Sequence, residues 1–277
     1  MKAVRAGSLS DVTFHYDAET HCEPIGDHTW RCELSDAWNI GENPNGGYLL
    51  APLQRAMQQA SSHADPLSVT THFLRPGQAG EAVIEVEPIR LGRTISTMRG
   101  RLVQDGRTRL EAVGAFTDLE SDEAVLEVDQ PPPEIPDPDE CPPRTVLAQG
   151  VELPIMQRVD VRIHPDHVLG GTGREPVICG WIRLADGRPV DSGALSLFAD
   201  AFPPPLFASI GHTGWVPTIE LTVHVRRRPA RGWILGRFET TDAAGNRTIE
   251  DGRLWDESGA LVAVARQVGL VRLDAGS

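Results

Sequence analysis

Three polar side chains in the C-terminal half could together do chemistry. Asp200 lies in SLFADAF, Thr218 in VPTIELTV and Gln267 in VARQVGLV. A carboxylate can orient or deprotonate a water. Threonine and glutamine each offer a donor and an acceptor, and so can hold that water from other sides. Gly193, Ser196 and Asp200 share one helical face, and small neighbours beside a carboxylate leave room for a ligand. Ala199, Ala201 and Phe202 around Asp200 predict partial burial, and a buried carboxylate without a task is costly. Plainer readings stand beside these: Asp200 as a solvated helix residue, Gln267 as an exposed strand residue, Thr218 as a β-former. No nucleophile motif accompanies the set, since GHTGW at 211–215 is not Gly-x-Ser-x-Gly. The imidazoles of HPDH at 164–167 lack an evident third ligand and read as a loop, not a metal site. Cys22, Cys32, Cys141 and Cys179 are scattered without metal-ligand spacing and read as free thiols.

The elements that must position these residues occur twice. Residues 118–144, DLESDEAVLEVDQPPPEIPDPDECPPR, are rich in proline and acid and read as an extended surface linker. They divide the chain into 1–117 and 145–277. FLRPG at 73–77 faces RRRPA at 226–230, and RTIS at 93–96 faces RTIE at 247–250. Pro76 and Pro229 stand 153 residues apart, as do Gly106 and Gly259. An offset held at separate anchors indicates an internal duplication.

Each half has the same order. A strand-like lead-in (28–40; 177–190) precedes a helix (45–60; 190–202). Leu49, Leu53, Ala56, Met57 and Ala60 recur at helical spacing, as do Leu195, Phe198, Ala199 and Phe202. Pro52 is tolerable in the first helix only within its first turn. Four strands follow in each half, punctuated by turns such as DGR and ESGA. A single amphipathic helix needs an apolar sheet face to cover it, so the predicted class is α+β. Its architecture is a double hot-dog: two tandem repeats, each a central helix wrapped by an antiparallel sheet. The copies differ where chemistry would sit: Gln54 holds the place of Asp200, and Gly114 that of Gln267.

Composition narrows the function. The 277 residues carry a formal net charge of −13, which repels nucleic-acid phosphates and anionic membranes. Apolar residues make up 40%, enough for a core, yet no apolar run approaches the roughly 18 residues of a membrane span. The first residues, MKAVRAGSLSDVTF, lack a leader's apolar stretch, and a cytoplasmic protein is expected.

NGGYLLAPLQRA, VTTHFLRPGQAG, LFADAF, PTIELTVHVRRRP and GALVAVARQVGLVR resemble the acyl-CoA thioesterase II family over most of the chain outside the linker. The resemblance implies double hot-dog enzymes that hydrolyse fatty acyl-CoA to fatty acid and CoA. It implies a catalytic Asp, Thr and Gln at Asp200, Thr218 and Gln267, with Thr222 as a substitute for Thr218. The family's Asp-His pair after the threonine is replaced here by Glu220 and Leu221. The chemistry expected is direct attack of water, without a covalent intermediate and without cofactor or metal. The Gly47 N–H, at a helix start, is the expected oxyanion donor. Arg75, Arg90, Arg93 and Arg228, with Arg226 and Arg227, are expected to meet the CoA phosphates. A homo-oligomer is expected. The alternatives are a non-catalytic acyl-CoA or lipid-binding hot-dog and, more remotely, a dehydratase, which would want a histidine beside Asp200.

Overall fold

The computed structural model describes residues 13–119, 128, 130–144, 151–168, 170–171, 173–211 and 215–272. The leader reading of the first twelve residues and the middle of GHTGW lie outside them. The first half runs α1 (His15–Glu19), β1 (Cys22–Gly26), β2 (Thr29–Leu34), a short pair β3 (Asn39–Ile40) and β4 (Asn43–Pro44), then α2 (Gly46–Ser61). Strands β5 (Asp65–Phe73), β6 (Gly80–Arg90), β7 (Ser96–Gln104) and β8 (Arg107–Thr117) complete it. The second half runs β9 (Val159–Ile163), β10 (Val177–Leu184), α3 (Leu195–Asp200), α4 (Phe207–Ile210), β11 (Thr218–Val225), β12 (Ile234–Ala244), β13 (Arg247–Asp256) and β14 (Leu261–Leu270).

Twelve strands form one antiparallel sheet in the order β1-β2-β6-β7-β8-β5-β11-β14-β13-β12-β10-β9. The order reads the same from either end once each strand is replaced by its repeat equivalent. The halves therefore meet at β5 and β11, where Val69 pairs with Val223 and Thr70 with Thr222. Joining the two copies there covers an edge that each would otherwise expose.

Each half wraps its sheet around its helix, and α2 packs against α3. Helix α2 is covered on nearly every side: Tyr48, Leu50, Leu53, Ala56 and Met57 are fully buried. Asn45 caps it, accepting from the Tyr48 N–H at 3.0 Å. Pro52 lies in the second turn, not the first as expected. Tertiary packing on all faces outweighs the roughly 3 kcal/mol that an interior proline costs. The Tyr48 ring stacks on Trp38 with centroids 4.9 Å apart. The Trp38 indole donates to Glu19, which also pairs with Arg158 at 2.7 Å and so ties the first half to the second.

The presumed linker is more integrated than its composition indicates. Of its described residues, Gln130 and Pro136 accept from the indoles of Trp255 and Trp181, and Cys141 and Arg144 are buried. Backbone carbonyls accept hydrogen bonds even where proline removes the N–H, so a segment with only a short 3-10 turn (Pro138–Glu140) and one bridge can be fastened by the sheet's tryptophans. No helix among the described residues is long and apolar enough to cross a membrane.

Candidate active site

Asp200 is the last residue of α3, and the start of α2 faces it from the other half. Its Oδ2 accepts from the Gly47 N–H at 2.8 Å and from Asn45 Nδ2 at 2.9 Å. Asn45 Nδ2 also donates to the Asp200 carbonyl at 2.9 Å, which fixes the carboxylate against the helix start. The other oxygen, Oδ1, accepts from the Thr218 hydroxyl at 3.3 Å. That hydroxyl lies equally 3.3 Å from Gln267 Oε1. The Gln267 Nε2 in turn donates to Glu250.

A bulge brings Thr218 to this point. Leu221 pairs with Gln267 and faces the same side, so strict alternation along β11 would turn Ile219 inward and Thr218 outward. The register shifts between Thr218 and Glu220, so that Thr218 pairs with Gly269 and shares the face of Gln267, while Ile219 is exposed. Thr222, the substitute considered for Thr218, is elsewhere: its hydroxyl meets Thr70 at 2.9 Å across the seam.

These groups line one cleft of about 620 Å³. Phe73, Phe202, Phe238 and Leu270 give it apolar walls, and Asp200, Thr218, Gln267 and Glu250 supply the polar groups. Burial pushes the Asp200 carboxyl up to about 6, against the opposing hydrogen bonds from Gly47, Thr218, Asn45 and Gly46. Glu250 is pushed up to about 7, chiefly by burial, with the Asp200 charge adding to it. A carboxylate tuned toward neutrality can take and return a proton at physiological pH. Among the described residues no cluster of three or more His, Cys, Asp and Glu is arranged to hold a metal.

Two expectations need correction. The Gly47 N–H is not turned toward a substrate oxygen, because the Asp200 carboxylate takes it first. Of the expected arginines, Arg75 lines the cleft, whereas Arg90, Arg93 and Arg226–228 do not. Arg90 ends β6 and Arg93 lies in the turn after it, both exposed; Arg228 is held by buried Asp65 at 2.7 Å. Arg144 and Arg272 line the cleft instead, with Glu250 and Asn45 as further members that sequence reasoning missed. Glu250 carried a signal: on β13 it shares the parity of core residue Leu254. Arg144 carried none, since it follows an aperiodic proline-rich stretch.

The equivalent place in the first half is closed. Gln54 Nε2 donates to the Gly193 carbonyl at 3.0 Å, the reverse of the Gly47 N–H donating to Asp200, and its Oε1 accepts from Ser196 at 2.7 Å. At Gly114, the counterpart of Gln267, a Cβ would lie 3.0 Å from both Met57 and Phe116, which fill the space. Asp65, the counterpart of Thr218, accepts from Ser192 at 2.6 Å and from Arg228, both in the other half.

Burial alone would raise the Asp65 carboxyl, but the bonds from Arg228, Ser192 and Leu119 outweigh it and hold it below the usual range. Its contribution to stability is therefore present above the unfolded carboxyl's pKa and lost as acid protonates it. Arg228→Ala is expected to cost about 2 kcal/mol at neutral pH. Urea unfolding should show that deficit shrinking as the pH falls below the ordinary carboxylate range.

One continuous sheet whose two halves wrap two contacting helices defines a double hot-dog protein. Residues 34–117 match the family model described as the acyl-CoA thioesterase N-terminal domain, and residues 138–271 match that of the acyl-CoA thioesterase C-terminal domain. The chain therefore belongs to the acyl-CoA thioesterase family, enzymes that hydrolyse thioesters. It is similar to an uncharacterized protein of Mycobacterium tuberculosis, 30% identical over 264 residues covering 86% of this chain and 89% of that one. It is 23% identical to acyl-CoA thioesterase 2 of Haemophilus influenzae, covering 95% and 99% of the two chains. Among solved structures, acyl-CoA thioesterase II TesB2 of Mycobacterium marinum superposes with a TM-score of 0.74 at 22% identity, covering 95% of this chain and all of that one (100%).

Proposed function

We propose that this chain hydrolyses fatty acyl-CoA to free fatty acid and CoA by direct attack of a water held by Asp200, Thr218 and Gln267. The observation that carries the reading is the meeting of these three side chains in an apolar-walled cleft. Asp200 Oδ2 is saturated by Gly47 and Asn45, which leaves Oδ1 to receive the water's proton. The water oxygen bonds to the acyl carbon, the carbon–sulfur bond breaks, and the proton passes from Asp200 to the departing thiolate. The guanidinium of Arg144 sets positive charge beside the cleft for the developing oxyanion. Exposed Arg75 and Arg272 suit the CoA phosphates, and the aromatic walls suit an acyl chain.

In this reading residues 1–117 supply the facing helix start, residues 118–144 link the halves, and residues 145–277 carry the reacting groups. The enzyme works in the cytoplasm and as a homo-oligomer, which sedimentation would check. The decisive assay is release of free thiol from acyl-CoAs of several chain lengths. Turnover supports the reading, and saturable binding without thiol release would favour the non-catalytic lipid-binding alternative.

A further inference from the structure

We propose that Glu250 is a positioning residue of this site: its carboxylate sets which way round the Gln267 amide lies, and thereby where the single Thr218 hydroxyl proton goes. The proposal rests on the hydrolytic reading above.

Glu250 is 2% exposed, yet it lines the cleft. One of its oxygens accepts from Gln267 Nε2, and the other meets no donor in hydrogen-bonding geometry. Glu250, Thr240 and Gln267 stand opposite one another on β13, β12 and β14, so all three side chains share the inner face. Around Glu250, β12 presents the Thr240 hydroxyl, β13 itself that of Thr248, and β14 the Gln267 amide. The charged group that bears on it is Asp200, from α3. No cation is paired with Glu250 in these contacts, so the fold gains little from a carboxylate here.

The hydrogen-bond inventory gives the carboxylate a task. Thr218 has one proton and two acceptors at the same 3.3 Å, Asp200 Oδ1 and Gln267 Oε1. Oδ1 is the oxygen left for the attacking water, so a Thr218 proton resting there competes with that water. While Glu250 is ionised it accepts from Nε2 and holds Oε1 toward Thr218, which draws the proton off Asp200. Protonated Glu250 can instead donate to Oε1. The amide then turns over, Nε2 donates to Thr218, and the Thr218 proton is left to Asp200 alone. Productive water capture thus asks for two ionised carboxylates, not one.

The test is the pH dependence of kcat/KM for acyl-CoA hydrolysis. Wild type should lose activity on the acid side in two steps: an upper one of about tenfold as Glu250 takes up its proton, and a lower one with a slope of about one in log units per pH unit as Asp200 does, the slope exceeding one where the two overlap. Glu250→Gln should remove the upper step, leave a single limb with a slope of about one, and lower kcat roughly tenfold at neutral pH with KM little changed. In a Gln267→Ala background the same substitution should have almost no further effect, since Glu250 acts through that amide. A wild-type acid limb that is a single one-proton step overturns the proposal without any variant. So does a Glu250→Gln enzyme with the wild-type profile, or an equal added loss in the Gln267→Ala background. Full turnover in Asp200→Asn would instead overturn the underlying hydrolytic reading.

Discussion

Asp200→Asn should lower kcat for acyl-CoA hydrolysis about 1,000-fold while the protein becomes more stable at neutral pH. The asparagine has the same shape. Its carbonyl can still accept from the Gly47 N–H and Asn45, and its amide can face the Thr218 hydroxyl. What it cannot do is take a proton from water. The stability gain follows from the sign of the pKa shift. Burial raises the Asp200 carboxyl from 3.8 to about 6, so the folded state holds a proton that the unfolded state gives up. Folding is then penalised as the pH rises through that interval, and the penalty is complete at pH 7. Melting curves of the two proteins should diverge above about pH 4, with the variant higher, and coincide below it. Thiol release at saturating substrate measures the other side. A variant that melts lower and still turns over would remove Asp200 from both roles. Such a trade of stability for activity is the expected mark of a buried reacting group.

The second large effect falls on the fold and the site together. Gly47→Val should cost about 3 kcal/mol and remove activity. A Cβ at Gly47 would lie 2.9 Å from the Leu197 Cα, 3.1 Å from the Leu197 carbonyl and 3.0 Å from the Asp200 Cβ. None of these is the end of a flexible side chain. The two helices must separate, and the separation lifts the Gly47 N–H off Asp200 Oδ2. Denaturant unfolding should show a lower midpoint, and catalysis should stay lost under conditions where the variant is folded. Gly100→Ala is the control for crowding away from the site: its Cβ would press on the ends of Leu53 and Met57, which can shift, so stability falls while activity in the folded fraction remains.

The degenerate first-half site explains why one chain carries a single set of reacting groups in the described residues. An amide replaces the carboxylate at Gln54, a glycine replaces the amide at Gly114, and Met57 with Phe116 occupies the space. The polar residue left over, Asp65, now joins the halves through Ser192 and Arg228. Where the second half has reacting groups, the first half has an ion pair between the repeats.

Much of this was legible in the residues. Side-chain periodicity is local, and it recurs at an offset of 153 residues in the strands and 146 in the helices (Gly47 to Gly193), so the paired helices, the eight longer strands that follow them and the double hot-dog class could be read directly. Asp200 and Gln267 stood out because the two copies disagree at those places. The Thr218 assignment came from resemblance, and its orientation could not have been read, since one extra residue in a strand turns every later side chain to the other face. Only the tertiary structure showed that bulge, together with the meeting of Asn45 and Gly47 with Asp200 across 155 and 153 residues of chain. It also moved the arginines: Arg228 went to Asp65, while Arg144 entered the site from a stretch with no pattern to follow. Elements follow from neighbours in sequence, whereas a site between two halves follows from how their surfaces pack, and that information is spread over the whole chain.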